Sequence, residues 1–183
     1  DFSDLDAFSD ETARATGSFS AGEPTEDGQP SLKMEYDFAQ SSATRGYYLI
    51  SNDPVTVDGN TLAFEMMVRG DGTGAWPRLQ VRGADGVVTN LDGDHLDFEG
   101  WQKVRFEVPA GLSQPLTFER IRIMETRPGK QYSGDIAVAG LQAISTPEAA
   151  PTEDTPVHDP ALLATGTVED RPQNIAVMSD AQF

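Results

Sequence analysis

Trp76, Arg78, Gln80 and Arg82 alternate with Leu79 and Val81 along one short run. Side chains of a strand point to opposite faces every second residue, so if Leu79 and Val81 face a core, the other four share the opposite face. A tryptophan beside arginine and glutamine on an exposed sheet face suits sugar recognition. The ring stacks on the apolar face of a pyranose, and the polar groups hydrogen-bond its hydroxyls. The competing reading is a tryptophan that covers a sheet edge, with arginines as ordinary solvated charges.

Arg45, Tyr47, Glu125 and Tyr132 form a second tier of candidate ligand contacts. Arg45 and Glu125 are expected either as a charge pair that orients a loop or as two groups of a binding cleft, since a guanidinium pairs a carboxylate in bidentate fashion. Tyr132 follows a Pro-Gly turn and either caps that cleft or packs a loop onto the domain. Trp101, directly after Gly100, is expected to close the end of a core or an edge.

Other residue types offer less chemistry. Asp92, Asp94 and Asp97 carry oxygen ligands of the kind hard cations take, but their spacing is not that of a calcium loop and Asp-Gly is foremost a turn signal. Asp4 and Asp6 are equally ambiguous. His95 and His158, the only histidines, have no serine or carboxylate arrangement that sequence ties to them. Glu65, Glu107, Glu119 and Glu125 could supply a glycosidase carboxylate pair on paper. The first, second and third of these occupy polar strand positions, where solvated charge is the ordinary explanation, so no catalytic residues are assigned.

The elements that must position these groups are strands. In Gly100–Gly111, Val104, Phe106 and Val108 face one way while Lys103, Arg105 and Glu107 face the other, and Pro109 ends the ladder. Further strands are predicted at 31–38, 46–51, 61–69, 76–82, 86–91, 101–108, 116–125 and 134–144, with edge segments at 1–8 and 16–19. Asp58-Gly59-Asn60, Asp71-Gly72 and Asp85-Gly86 punctuate them, the last as a hairpin turn. Many short strands with evenly spaced turns predict an all-β, antiparallel β-sandwich of the jelly-roll kind over residues 1–146.

Residues 147–167 are proline-rich and acidic, with few large apolar groups, and are expected to form an extended linker. Residues 168–183 resume with a short apolar strand that runs into Asp180. The chain opens on Asp1 and stops at Phe183 directly after that run, so we expect a fragment of a longer polypeptide.

Composition narrows the partners. With a net charge of −17, the chain repels phosphate backbones and anionic headgroups, which sets aside nucleic acid and membrane surfaces; a neutral or cationic partner or a salty environment is compatible with it, and solubility alone is the plainer reading. The chain has no cysteine, hence no disulfide and no thiolate metal site. No apolar run approaches the roughly 20 residues of a membrane span.

Several segments in order carry a family resemblance: Thr44-Arg45-Gly46-Tyr47-Tyr48-Leu49, Gly70-Asp71-Gly72-Thr73-Gly74-Ala75-Trp76-Pro77-Arg78-Leu79-Gln80, Gly100-Trp101-Gln102-Lys103-Val104, Pro115-Leu116-Thr117-Phe118-Glu119-Arg120-Ile121 and Glu125-Thr126-Arg127-Pro128-Gly129-Lys130-Gln131-Tyr132-Ser133-Gly134. Together they resemble the carbohydrate-binding-module-like jelly rolls appended to bacterial exported phosphodiester glycosidases and surface-layer-associated proteins. The resemblance implies a secreted or cell-surface bacterial location, a carbohydrate or glycan-containing polymer as partner, and contacts with neighbouring domains of the parent chain. It also implies a structural calcium held near paired aspartates before a leucine, but Val138-Ala139-Gly140-Leu141 stands in that place and lacks both carboxylates.

The tail Ile175–Phe183 resembles the first motif of calcineurin-like metallophosphoesterases. By that match Asp180 is a metal ligand, and Gln182 occupies the position of the motif's histidine. The expectation is therefore a noncatalytic glycan-targeting module of a multidomain secreted enzyme. The alternatives are a structural spacer that packs between domains without a ligand, and a fragment whose activity lies in a downstream metallophosphoesterase.

Overall fold

A computed structural model describes residues 1–147, which hold ten strands in two antiparallel sheets. The rest of the expected linker, His158, and the tail with Asp180 lie outside the described residues. The first sheet contains β1 (Phe8–Ala13), β4 (Arg45–Val57), β9 (Leu116–Glu125), β6 (Trp76–Arg82) and β7 (Val88–Asp92), in that spatial order. The second contains β2 (Thr16–Ala21), β3 (Ser31–Asp37), β10 (Ser133–Thr146), β5 (Asn60–Asp71) and β8 (Glu99–Glu107). The all-β sandwich expected from the turn spacing is the fold observed. Among the described residues no helix is long and apolar enough to cross a membrane.

Alternation builds the core. Leu79 and Val81 of β6, Ile121 and Ile123 of β9, and Tyr47 and Leu49 of β4 are buried on the inner side of the first sheet. Leu32, Met34 and Tyr36 of β3, Phe64, Met66 and Val68 of β5, and Val104 and Phe106 of β8 are buried on the inner side of the second. Burying a side chain such as Leu79 or Ile121 contributes about 1.5–3 kcal/mol. Inner and outer faces of each sheet are thus set by which residues of a strand are in phase with this core.

Two local features differ from the periodic expectation. Residues 1–8 do not form an edge strand: Leu5–Ala7 is a 3-10 turn, and β1 begins only at Phe8. Carboxylates capture the backbone there, Asp1 Oδ1 accepting from Ser3 N at 3.0 Å and Asp4 Oδ1 from Asp6 N at 3.1 Å, which competes with ladder pairing. In β9 the apolar phase slips between Phe118 and Ile121, because the pairing with β6 shifts there: Gln80 is opposite Arg120, and Val81 opposite Phe118. Glu119 is the extra residue of this bulge and reaches the outer face beside its neighbour.

The hairpin at Asp85-Gly86 forms as its turn chemistry requires. Gly86 has φ +81°, Asp85 Oδ1 accepts from Val87 N at 3.0 Å, and Gly83 N donates to Val87 O at 2.9 Å. The turn returns β7 alongside β6 and brings Asn90 and Asp92 next to Gln80 and Arg78.

Candidate functional site

Trp76, Arg78 and Gln80 are half-buried on β6, out of phase with the fully buried Pro77, Leu79 and Val81, and so share the outer face of the first sheet. Arg82 continues the row and is exposed. The register extends this row sideways: Trp76 is opposite Met124, Arg78 opposite Arg122, and Gln80 opposite Arg120 on β9. Tyr48 on β4 is opposite Arg122 from the other side. The result is one polar and aromatic band across β4, β9, β6 and β7.

Each ring in that band is engaged by an arginine. The Arg78 guanidinium lies over the Trp76 ring at 4.4 Å from its centroid, and Arg122 lies over Tyr48 at 4.8 Å. Trp76 is fixed further by Nε1–H donation to Gly93 O at 3.1 Å and by the His95 ring, stacked at 5.9 Å between centroids. His95 Nδ1 is itself 2.8 Å from Gly74 O. Tyr48 folds back over Gly46, where a Cβ would come within 2.6 Å of the ring. The aromatic surfaces are therefore rigid, and arginines cover them.

The hydrogen bonds on this face are unevenly distributed. Glu119 accepts from Gln80 Nε2 at 2.8 Å and from Arg82 Nε at 2.6 Å. Arg78 Nε donates to Asp92 Oδ1 at 2.7 Å, leaving its terminal nitrogens uncommitted among the described residues. Arg120 Nη1 meets Glu11 Oε2 at 3.3 Å. Arg122 Nη1 donates to Asn90 Oδ1 at 2.9 Å, but no carboxylate lies within ion-pair distance of Arg122 among the described residues. Among the described residues the Nε atoms of Arg120 and Arg122 are buried without a hydrogen-bond partner.

The second-tier residues do not join that band, and the cause is strand phase. Arg45, Tyr47 and Leu49 alternate toward the interior, so Tyr47 is fully buried and its hydroxyl donates to Asp10 at 3.0 Å; burial raises its pKa. Arg45 and Glu125 are register partners, yet they make no charge pair with each other. Arg45, also fully buried, donates instead to four backbone carbonyls: Ala43 at 2.7 Å, Phe38 at 3.0 Å, Lys130 at 2.6 Å and Arg127 at 2.8 Å.

Glu125 pairs with Arg127 at 2.8 Å and accepts the Tyr132 hydroxyl at 3.0 Å. Burial opposes its ionisation, but Arg127, through side chain and backbone, and Tyr132 outweigh that and hold its pKa below the ordinary value. Burial, with the Glu125 charge beside it, raises the pKa of Tyr132. Rather than line the outer band, Arg45, Glu125 and Tyr132 fasten the 126–132 loop to the sandwich, and Tyr47 ties β4 to β1.

The second sheet's outer face is chemically different. Lys33 pairs with Glu35 and Asp135, Arg69 with Asp135, Lys103 with Glu65, and Arg105 with Glu65 and Glu107. Every one of these cations has a carboxylate partner. Trp101 lies on the edge strand β8, opposite Arg69 and in phase with Lys103 and Arg105, and is half-buried. It takes the edge role expected of it without closing the core. The carboxylates considered for a glycosidase pair are divided among these networks: Glu65 and Glu107 here, Glu119 on the opposite face, Glu125 inside.

Asp92, Asp94 and Asp97 do not converge. Among the described residues no group of three or more histidine, aspartate or glutamate side chains is placed to hold a metal ion.

Tyr48, Arg120, Arg122 and Asn90 were not singled out by sequence, though a signal existed for some. Tyr48 is out of phase with Leu49, and Arg122 stands between Ile121 and Ile123. Arg120 was hidden by the bulge, and Asn90 by a β7 strand too short to show its phase.

No family model matches the sequence, and no curated protein matches it either. Among solved structures, the fold is similar to a carbohydrate-binding module of the β-sandwich superfamily studied for promiscuous specificity, with a TM-score of 0.57 and 14% identity. That match covers 78% of this chain and 58% of the other. The family 11 carbohydrate-binding module of a cellulosomal cellulase from Clostridium thermocellum is similar at a TM-score of 0.51 and 14% identity, over 81% of this chain and 93% of its own. A Clostridium thermocellum family 11 module in complex with a β-1,3-1,4-mixed-linked tetrasaccharide aligns at a TM-score of 0.50 and 15% identity, over 81% and 94% of the two chains.

Proposed function

We propose that this sandwich is a noncatalytic carbohydrate-binding module that holds a glycan chain against the outer face of the first sheet. Trp76, Arg78 and Gln80 are its leading contacts, joined by Tyr48, Arg122 and Asn90. Arg45, Tyr47, Glu125 and Tyr132 act from behind, holding the strand ends and the 126–132 loop that flank the face. The observation that carries this reading is the single band of rigid aromatic rings and fixed hydrogen-bonding groups built by four adjacent strands. Rigid, pre-positioned donors limit the ordering cost of binding a flexible polymer. The likeness in fold to carbohydrate-binding modules supports the reading. On it, the module serves a secreted or cell-surface bacterial enzyme by tethering attached domains to their glycan.

Affinity electrophoresis of the full chain through gels containing a panel of polysaccharides tests this. At least one polysaccharide is expected to retard the wild type, and Trp76→Ala is expected to remove the retardation. The reading falls if no polysaccharide retards the wild type, or if Trp76→Ala migrates as the wild type does in every gel.

One observation favours the spacer alternative. An apolar groove of about 560 Å³ opens between the sheets, lined by Phe2, Phe8, Val55, Phe64, Phe118 and Leu141 among others, and Val55 there is 58% exposed. On that reading a neighbouring domain covers the groove and no glycan is retained.

A further inference from the structure

We infer that the glycan this face accepts is anionic, a chain bearing carboxylate or sulfate groups, and that Arg122 at the centre of the face meets that charge. This rests on the glycan-binding reading above and specifies its ligand class.

Arg122 sits on β9, the central strand of the first sheet, and is half-buried. It has no carboxylate partner among the described residues, its Nε is enclosed without an acceptor, and its approach to the Tyr48 hydroxyl at 3.5 Å is at the limit of a hydrogen bond. Stacking over Tyr48 offers some compensation but no counter-charge. Directly opposite stands Arg78, on the same face. Like charges opposite each other on neighbouring strands destabilise a sheet, and an unpaired, partly desolvated guanidinium adds to that cost.

The outer face of the second sheet is arranged differently. On the second sheet Lys33, Arg69, Lys103 and Arg105 all have carboxylate partners. Arg78, Arg82, Arg120 and Arg122 are four of 13 basic residues in a chain of net charge −17 and share one face, where Asp92, Glu119 and Glu11 pair with the first three. The net charge is compatible with a neutral or cationic partner, but on this face one guanidinium, that of Arg122, stands without a counter-charge among the described residues. The long-range repulsion of the acidic surface is screened over about 8 Å at physiological ionic strength, whereas contact with the face is direct.

The covered rings point to the same ligand class. A neutral glucan gains most from bare aromatic faces, and here the Trp76 and Tyr48 rings already carry guanidinium groups. What projects toward a ligand is a set of planar donors, including the uncommitted terminal nitrogens of Arg78, suited to the two oxygens of a carboxylate or the oxygens of a sulfate ester.

The test measures binding of the full chain to polygalacturonate, to a sulfated galactan and to a neutral mixed-linked glucan, with thermal melts run in parallel. Binding to one or both polyanions and not to the glucan is expected, and the two polyanions distinguish carboxylate from sulfate. Arg122→Gln is expected to weaken polyanion binding by about tenfold to a hundredfold, the scale of one charge-assisted contact, with a melting temperature equal to or above wild type. A purely structural arginine would lower it. If Arg122→Gln fails to fold, Arg78→Gln carries the same binding expectation from a more accessible position. Binding of the neutral glucan as tightly as the polyanions overturns the inference and leaves the glycan-module reading standing. Binding of no polysaccharide overturns both, and unchanged polyanion binding by a folded variant overturns the role of the arginine.

Discussion

Arg45 and Arg122 lie on adjacent strands of one sheet, yet their surroundings are opposite. Arg45 points inward, is fully buried and uses four of its five N–H donors on backbone carbonyls, so it is closed to a ligand. Arg122 points outward, beside a second arginine, and among the described residues its Nε is unpaired and no carboxylate meets it. Both are arginines in polar clusters containing a tyrosine. The inner cluster is satisfied within the protein, whereas the outer one keeps unmet hydrogen-bonding capacity among the described residues, and it is there that we propose binding. Unsatisfied hydrogen-bonding capacity, more than residue type, separates scaffold from site.

Perturbing the inner cluster should give the largest effects, and they should be on stability. Arg45→Met removes the donors of four carbonyls, two in the 126–132 loop and two in the connection from β3 to β4, and is expected to lower unfolding free energy by about 3–5 kcal/mol, measured by urea denaturation. A loss below about 1 kcal/mol would erase the distinction between the two arginines.

Glu125→Gln should follow, at about 1–3 kcal/mol, since it weakens charge-assisted bonds from Arg127 and Tyr132. The same variant sharpens the comparison through pH. The folded-state pKa of Glu125 is lowered from its ordinary value of 4.5, so its contribution is fully present above that value and is lost as pH falls through the lower folded-state value. The stability gap between wild type and Glu125→Gln should therefore close below pH 4.5. A gap that persists unchanged to low pH would show that the Glu125 charge contributes nothing. Smallest of all in stability is Arg122→Gln, whose effect should appear in binding instead.

Much of this was legible in the sequence, and strand phase explains what was not. Trp76–Arg82 and Leu116–Glu125 were bounded as strands from alternation and turn residues alone. The placement of Trp76, Arg78 and Gln80 opposite Leu79 and Val81 followed from the same period. In Tyr47-Tyr48, however, chemistry drew attention to the tyrosine that Leu49 carries into the core. The pairing of Arg45 with Glu125 was inferred from charge, but it was register that brought them opposite, and each found better partners in the loop. Arg122 was invisible as a site because its importance comes from Arg78 across the ladder and from a missing carboxylate, both products of long-range pairing.

The chain has two tryptophans, Trp76 on the outer face of the first sheet and Trp101 at the edge of the second, so its two indole N–H signals report on the two faces separately. Recording both in a nitrogen–proton correlation spectrum of the full chain, during titration with a polysaccharide that retards it, tests the central claim directly. The Trp76 signal should move progressively to saturation while that of Trp101 stays in place. Movement of Trp101 alone, or of neither signal at saturating ligand, would contradict the assignment of binding to the first sheet.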